Sequence, residues 1–138
     1  MKPFSNNGLT LFFYRMPVAV ICVLIFWQSC FPGIIREPHF PQEDKVLHFT
    51  VYGLLAFMSA RWLAMEMKNR SIAAIKTAAI VFACLYGLSD EIHQAFVPAR
   101  QASVFDFLAD VLGSFSGVYL YFNFFLKKFT QKPAAGKH

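Results

Sequence analysis

Four stretches of this chain are each long and apolar enough to cross a bilayer, and that limits the fold more than any motif does. They run from about residue 10 to 31, 46 to 65, 71 to 94 and 103 to 126. A helix rises about 1.5 Å per residue, so about 20 residues cover the roughly 30 Å of hydrocarbon. Lipid offers no partner to an open backbone, so segments of this kind span as helices. The connections, 32–45, 66–70 and 95–102, are short, which makes successive helices antiparallel. The expected fold is an all-α antiparallel bundle of four transmembrane helices, one domain over residues 1–126, followed by a basic tail at 127–138. With 57% hydrophobic and only 15% charged residues, the chain lies well outside the composition of soluble domains, about 45–50% and about 25%.

The first segment reads as a span and not as a cleaved signal peptide. No small-x-small site follows its apolar stretch, and Trp27 and Gln28 do not suit a lipoprotein cleavage box before Cys30. Basic residues set the orientation. Lys2 and Arg15 precede the first span, Arg61, Lys68, Arg70 and Lys76 surround the second connection, and Lys127, Lys128, Lys132 and Lys137 follow the fourth span. Of the 13 Lys and Arg, only Arg36, Lys45 and Arg100 fall on the other side. The positive-inside rule then puts both termini in the cytoplasm. The net charge of +5 reads as topology, and no recognition element supports nucleic-acid binding. Cys22, Cys30 and Cys84 all fall in spans and read as small apolar residues, not as a disulfide framework.

Three polar clusters share the outer side. At about 100° per residue, Asp44, His48 and Tyr52 fall at about 0°, 40° and 80°, with Lys45 at about 100°. Asp44 can be an N-cap and Tyr52 an interfacial aromatic, but His48 lies in the first turns of a span, where a histidine asks for a partner. In "LSDEIHQAFVPAR" (88–100), Asp90, His93 and Gln94 share one helix face, and Glu91 sits about 100° round from Asp90. Gly87, Ala83 and Ala79 continue the Asp90 face as a small-residue stripe, which predicts that the face packs inside the bundle. In "SVFDFLADVLGSFSG", Ser103 can cap the helix with Asp106 at N3, while Asp110, a turn deeper, joins a stripe with Gly113 and Gly117. The expectation is that the stripe of Ala79, Ala83 and Gly87 faces Gly113 and Gly117. Arg100, carried round by Pro98, can balance the carboxylates or hold an anionic ligand.

These residues resemble the VanZ-like family of small bacterial membrane proteins. The resemblance rests on a "DK..HF..YG.LA" element and on "SDE.HQ.FVP.R..S..D" leading into a "G...G" helix. Here these read as Asp44, Lys45, His48, Phe49 and Tyr52, then Asp90, Glu91, Gln94, Arg100, Ser103, Asp106, Gly113 and Gly117. Asp110 departs from the pattern, since members often carry Asn there. The family takes its name from a protein associated with teicoplanin resistance, so the resemblance implies a multi-pass protein of the bacterial inner membrane with a role near the cell envelope. It does not imply that this chain confers antibiotic resistance.

Three function classes are open on the sequence. One is an enzyme acting on an anionic, lipid-linked envelope substrate such as a cell-wall precursor. There Asp90 or Glu91 would be the general base, and His48 would exchange the second proton. Asp44, Lys45, Tyr52, His93, Gln94, Arg100, Asp106 and Asp110 would line the substrate site. No serine with a clear histidine partner stands out, so activated water or direct transfer is the natural chemistry. The second class is a non-catalytic module binding an envelope lipid or a glycopeptide-antibiotic-related ligand. The third is a proton-coupled transporter component, for which four short helices leave little room without an oligomer. Membrane lipids are the expected partners. No cofactor is specified: the histidines and carboxylates could supply three N/O ligands to zinc or manganese, but no HExxH or CxxC spacing is present.

Overall fold

The computed structural model describes residues 8–31, 42–98 and 100–126. Lys2, Arg36, Ala99 and the basic tail at 127–138 lie outside the described residues. Four helices follow one another: α1 (Gly8–Ser29), α2 (Glu43–Glu66), α3 (Ile72–Gln94) and α4 (Val104–Leu120), the last continuing as a π-helical stretch, Tyr121–Leu126. Each is long and apolar enough to span a membrane, and the described residues contain no strand. The protein is a multi-pass membrane protein.

Local chemistry fixes where the helices start. The hydroxyl of Ser71 accepts from the Ala74 N–H at 3.2 Å, and that of Ser103 from the Asp106 N–H at 3.3 Å. Each side chain thereby satisfies an amide that has no partner inside its helix. The start of α2 is different. Its N-cap is Gln42, in the left-handed region at φ 68°, with no side-chain cap. Asp44 is therefore not the cap; with Glu43 it lies in the first turn, where a carboxylate meets the positive end of the helix dipole.

α2 is the hub. It packs on α1, α3 and α4, whereas α1 meets only α2 and α3 among the described residues. The interior mixes small and large side chains: Ala56, Ala60, Ala79 and Ala83 are fully covered, beside Tyr52, Leu55, Val118 and Phe122. Many other large side chains, such as Val23, Trp27, Leu85, Leu112 and Phe115, point outward. In lipid, burying a large apolar chain brings no hydrophobic gain, so close backbone approach decides the interior.

The closest approach is between α2 and α4, which corrects the pairing expected from the small stripes. A Cβ added to Gly113 would stand 2.2 Å from the Phe49 carbonyl oxygen, and one on Gly117 would stand 1.9 Å from that of Gly53. Gly113 and Gly117 thus pack on α2, not on Ala79 and Ala83. Gly53 is the physical reason: it opens a matching strip on α2, so the two backbones come nearer than alanine methyls would permit. On α3, Gly87 faces Asp110 and Tyr52 instead.

Candidate functional site

The C-terminal ends of α1 and α3 and the N-terminal ends of α2 and α4 meet at one end of the bundle. The polar residues singled out from sequence gather there in two groups, divided by the face of α3 from which they project.

The first group lies between α2, α3 and α4. Its deepest layer is Tyr52, Gly87 and Asp110, one from each helix; Asp110 and Tyr52 are 0% and 1% exposed. The absence of a Cβ on Gly87 makes this layer possible, because one would lie 2.8 Å from Asp110 Oδ2 and 3.2 Å from Tyr52 Cε1. One turn outward, His48 Nδ1 is 2.9 Å from Asp110 Oδ1 and 3.9 Å from Glu91 Oε1. The His48 ring is nearly parallel to that of Tyr52, with centroids 6.1 Å apart. Glu91 is anchored by its other oxygen, which accepts from the Ser103 N–H at 2.7 Å. At the rim, Lys45 Nζ stands 3.3 Å from Asp106 Oδ1 and 3.1 Å from Asp44 Oδ2. Ser103 thus caps α4 through its side chain and positions Glu91 through its backbone.

The second group lies between α3 and α1. Gln94 donates to Asp90 Oδ2 at 2.9 Å, and its nitrogen is 3.5 Å from the Ser29 hydroxyl. His93 turns to α1, where its ring stacks on Phe26 with centroids 4.9 Å apart. Arg100 also meets α1: its guanidinium donates to the carbonyls of Phe31 and Gln28, both at 2.8 Å, closing the C-terminal end of that helix. Sequence reasoning did not single out Ser29 or the carbonyls of Gln28 and Phe31. Ser29, polar at the end of an apolar run, was a readable signal; a carbonyl acceptor is not.

A groove of about 240 Å³ joins the two groups. Ile21, Leu24, Ile25, Leu47, Val51 and Leu54 make its aliphatic walls, and Gln28, His48, Tyr52 and Asp90 make its polar end. His48 therefore belongs both to the carboxylate cluster and to the groove.

Among the described residues, five polar atoms at this end are buried without a hydrogen-bond partner: Tyr52 OH, Glu91 Oε1, Asp106 Oδ1, Asp110 Oδ2 and His93 Nδ1. Native proteins seldom leave such groups unpaired, so each asks for an explanation. The balance of charge is also one-sided. Asp44, Asp90, Glu91, Asp106 and Asp110 face Lys45, His48 and an Arg100 already engaged by α1. A site with this surplus suits a cation better than a bare anion.

The VanZ/LLP1 family model matches residues 11–127, nearly the whole described bundle. An uncharacterized protein of Schizosaccharomyces pombe is 28% identical over 102 residues, which is 74% of this chain and 60% of that protein. The chain thus spans less than two thirds of that relative's length. No solved structure matches the chain.

Proposed function

The chain belongs to the VanZ/LLP1 family, and from that premise we propose that the polar end of its bundle binds an amphipathic, lipid-linked substrate and acts on its anionic head. The observation that carries this reading is the groove between α1 and α2, aliphatic along its walls and ending on His48, Tyr52 and Asp90. One hydrocarbon chain fits such walls, and the head group then arrives where the carboxylates converge. The distribution of basic residues supports placing this end on the outer face, and the family resemblance supports a bacterial inner membrane and a cell-wall precursor linked through phosphate.

Asp90 is the base this geometry favours. It lines the groove and is held by Gln94. Hydrolysis there has Asp90 take a proton from water while the water oxygen bonds to phosphorus. The bridging P–O bond breaks, and the leaving oxygen receives that proton from Asp90. A second reading, a binding module without turnover, is favoured by the bonds that already hold Asp90, Gln94 and Arg100 to structural partners.

Mass spectrometry of lipid that copurifies with the protein tests the proposal. Wild type should retain a phosphate-bearing lipid, and Val51→Trp, which fills the groove, should lose it with an unchanged thermal midpoint. The same lipid profile in both proteins would overturn the proposal. Asp90→Asn separates the two readings: lipid retained with phosphate release abolished marks an enzyme, and no release from wild type marks a binding module.

A further inference from the structure

We propose that His48, Glu91 and Asp110 form a binding site for a divalent first-row metal ion, zinc or manganese. One ligand atom from each residue lies within 4.8 Å of the other two. Around a tetrahedral ion, bonds of about 2.0–2.2 Å put neighbouring ligand atoms about 3.3–3.6 Å apart. The observed separations from His48 Nδ1, 2.9 Å to Asp110 and 3.9 Å to Glu91, bracket that spacing. Small side-chain rotations suffice to close the triad on an ion.

Two further observations point to a cation. Glu91 and Asp110 are 5% and 0% exposed, yet each keeps one buried oxygen without a hydrogen-bond partner. The Glu91 atom without a partner, Oε1, is the one turned toward His48. The groups around the triad are already engaged: the Ser103 N–H holds the second Glu91 oxygen, and Lys45 faces Asp106. A small cation beside His48 would meet the unpaired Glu91 Oε1 together with Asp110 Oδ1, while the unpaired Asp110 Oδ2 is the atom turned toward Gly87.

Charge leads to the same conclusion. Two carboxylates with one imidazolium leave a net negative charge buried at the edge of a bilayer. Two carboxylates and a neutral imidazole on a divalent ion sum to zero, the state a low-dielectric site tolerates best. The donor set, one nitrogen and two oxygens, suits zinc or manganese and is too hard for copper(I). The Ser103 amide on Glu91 is an outer support of the kind that orients a metal-ligating carboxylate. Three protein ligands leave coordination positions for a substrate oxygen, and His48 puts the ion beside the groove. That role rests on the lipid-head reading above and resolves its electrostatic difficulty: the ion reverses the local sign, so an anionic head is attracted to an acidic end.

The test uses the full-length protein in detergent, stripped with chelator and then titrated with zinc or manganese. Wild type should take up about one ion per chain by elemental analysis, with a rise in thermal midpoint, because binding to the folded state alone stabilises it. His48→Gln, Glu91→Gln and Asp110→Asn, each close in shape to the original, should lose the ion and the rise. Glu66→Gln, at the other end of the bundle, should keep both. Manganese electron paramagnetic resonance reports the site directly, and the midpoint of each stripped variant shows that it has folded. No stoichiometric uptake by wild type, or uptake unchanged in all three ligand variants, would overturn the site. Lipid analysis on the same samples keeps the two proposals apart: an ion bound without lipid upholds the metal site and removes the lipid reading, and lipid bound without an ion does the reverse.

Discussion

The two ends of this bundle handle charge in opposite ways. At one end, Arg15 pairs with Glu66, which also accepts from the Trp62 indole, and the Arg61 guanidinium lies 4.1 Å over the Tyr14 ring. These side chains are half-exposed: Arg15 and Glu66 are 50% and 35% accessible. They anchor the helices at a membrane surface, as long basic side chains do when their heads reach water. At the other end, Asp90, Glu91, Gln94, Asp106 and Asp110 are all buried, and three of them keep an oxygen without a hydrogen-bond partner. Anchoring does not call for that. The contrast separates polarity that positions a helix from polarity gathered around something else.

The crossing of α2 and α4 underlies the second end, so the largest effect is expected there. Gly117→Leu should cost about 3 kcal/mol or more, from overpacking at the tightest crossing. The measurement is the unfolding midpoint in detergent micelles. Metal uptake should disappear with it, because separating α2 from α4 separates His48 from Asp110, while the pairing of α1 with α2 through Arg15 and Glu66 remains. Wild-type stability would mean that the glycine face is not a helix contact.

A matched pair of substitutions then compares the ends themselves. Gln94→Leu removes the donor to a buried carboxylate and should cost about 1–3 kcal/mol. Arg15→Ala breaks an accessible ion pair and should cost under about 1 kcal/mol. Equal losses would erase the distinction between the two ends. The smallest perturbation concerns sides: a reporter fused after Asn69 should read cytoplasmic, and one fused after Gln42 should read outside. The reverse pattern would put the buried acids inside the cell and remove the ground for an envelope substrate.

Much of the fold was legible because a bilayer leaves few options. The apolar runs gave four helices within a few residues of their ends, and Ser103 three residues before Asp106 announced the cap of α4. The spacing of Asp90 and Gln94 gave a shared face, as the bond between them requires. Which stripe meets which was not legible. Gly53 and Ala56 on α2 give a small patch of their own, and the sequence pattern gives no reason to rank it above the alanine stripe of α3; only the packed bundle does. The partners of Arg100 were hidden for another reason: they are backbone carbonyls, which every residue carries, so side-chain chemistry cannot mark them. His93 shares the α1-facing side with Asp90 and Gln94, as their spacing gave, but its contact with the Phe26 ring could not be read from the sequence.

The glycine seam inside and the broad apolar surface outside bear on how such a chain can change over time. An outward Leu112 or Phe115 has only to stay apolar, so many replacements there are equivalent and nothing resists their accumulation. Gly113 and Gly117 have no such latitude: a single added carbon meets a carbonyl oxygen. Most of the surface can therefore drift while a thin internal seam cannot, and two bundles of this kind can grow far apart in identity and still close in the same way. Kinship among such chains is written in a few intolerant positions, and the average over the whole length understates it.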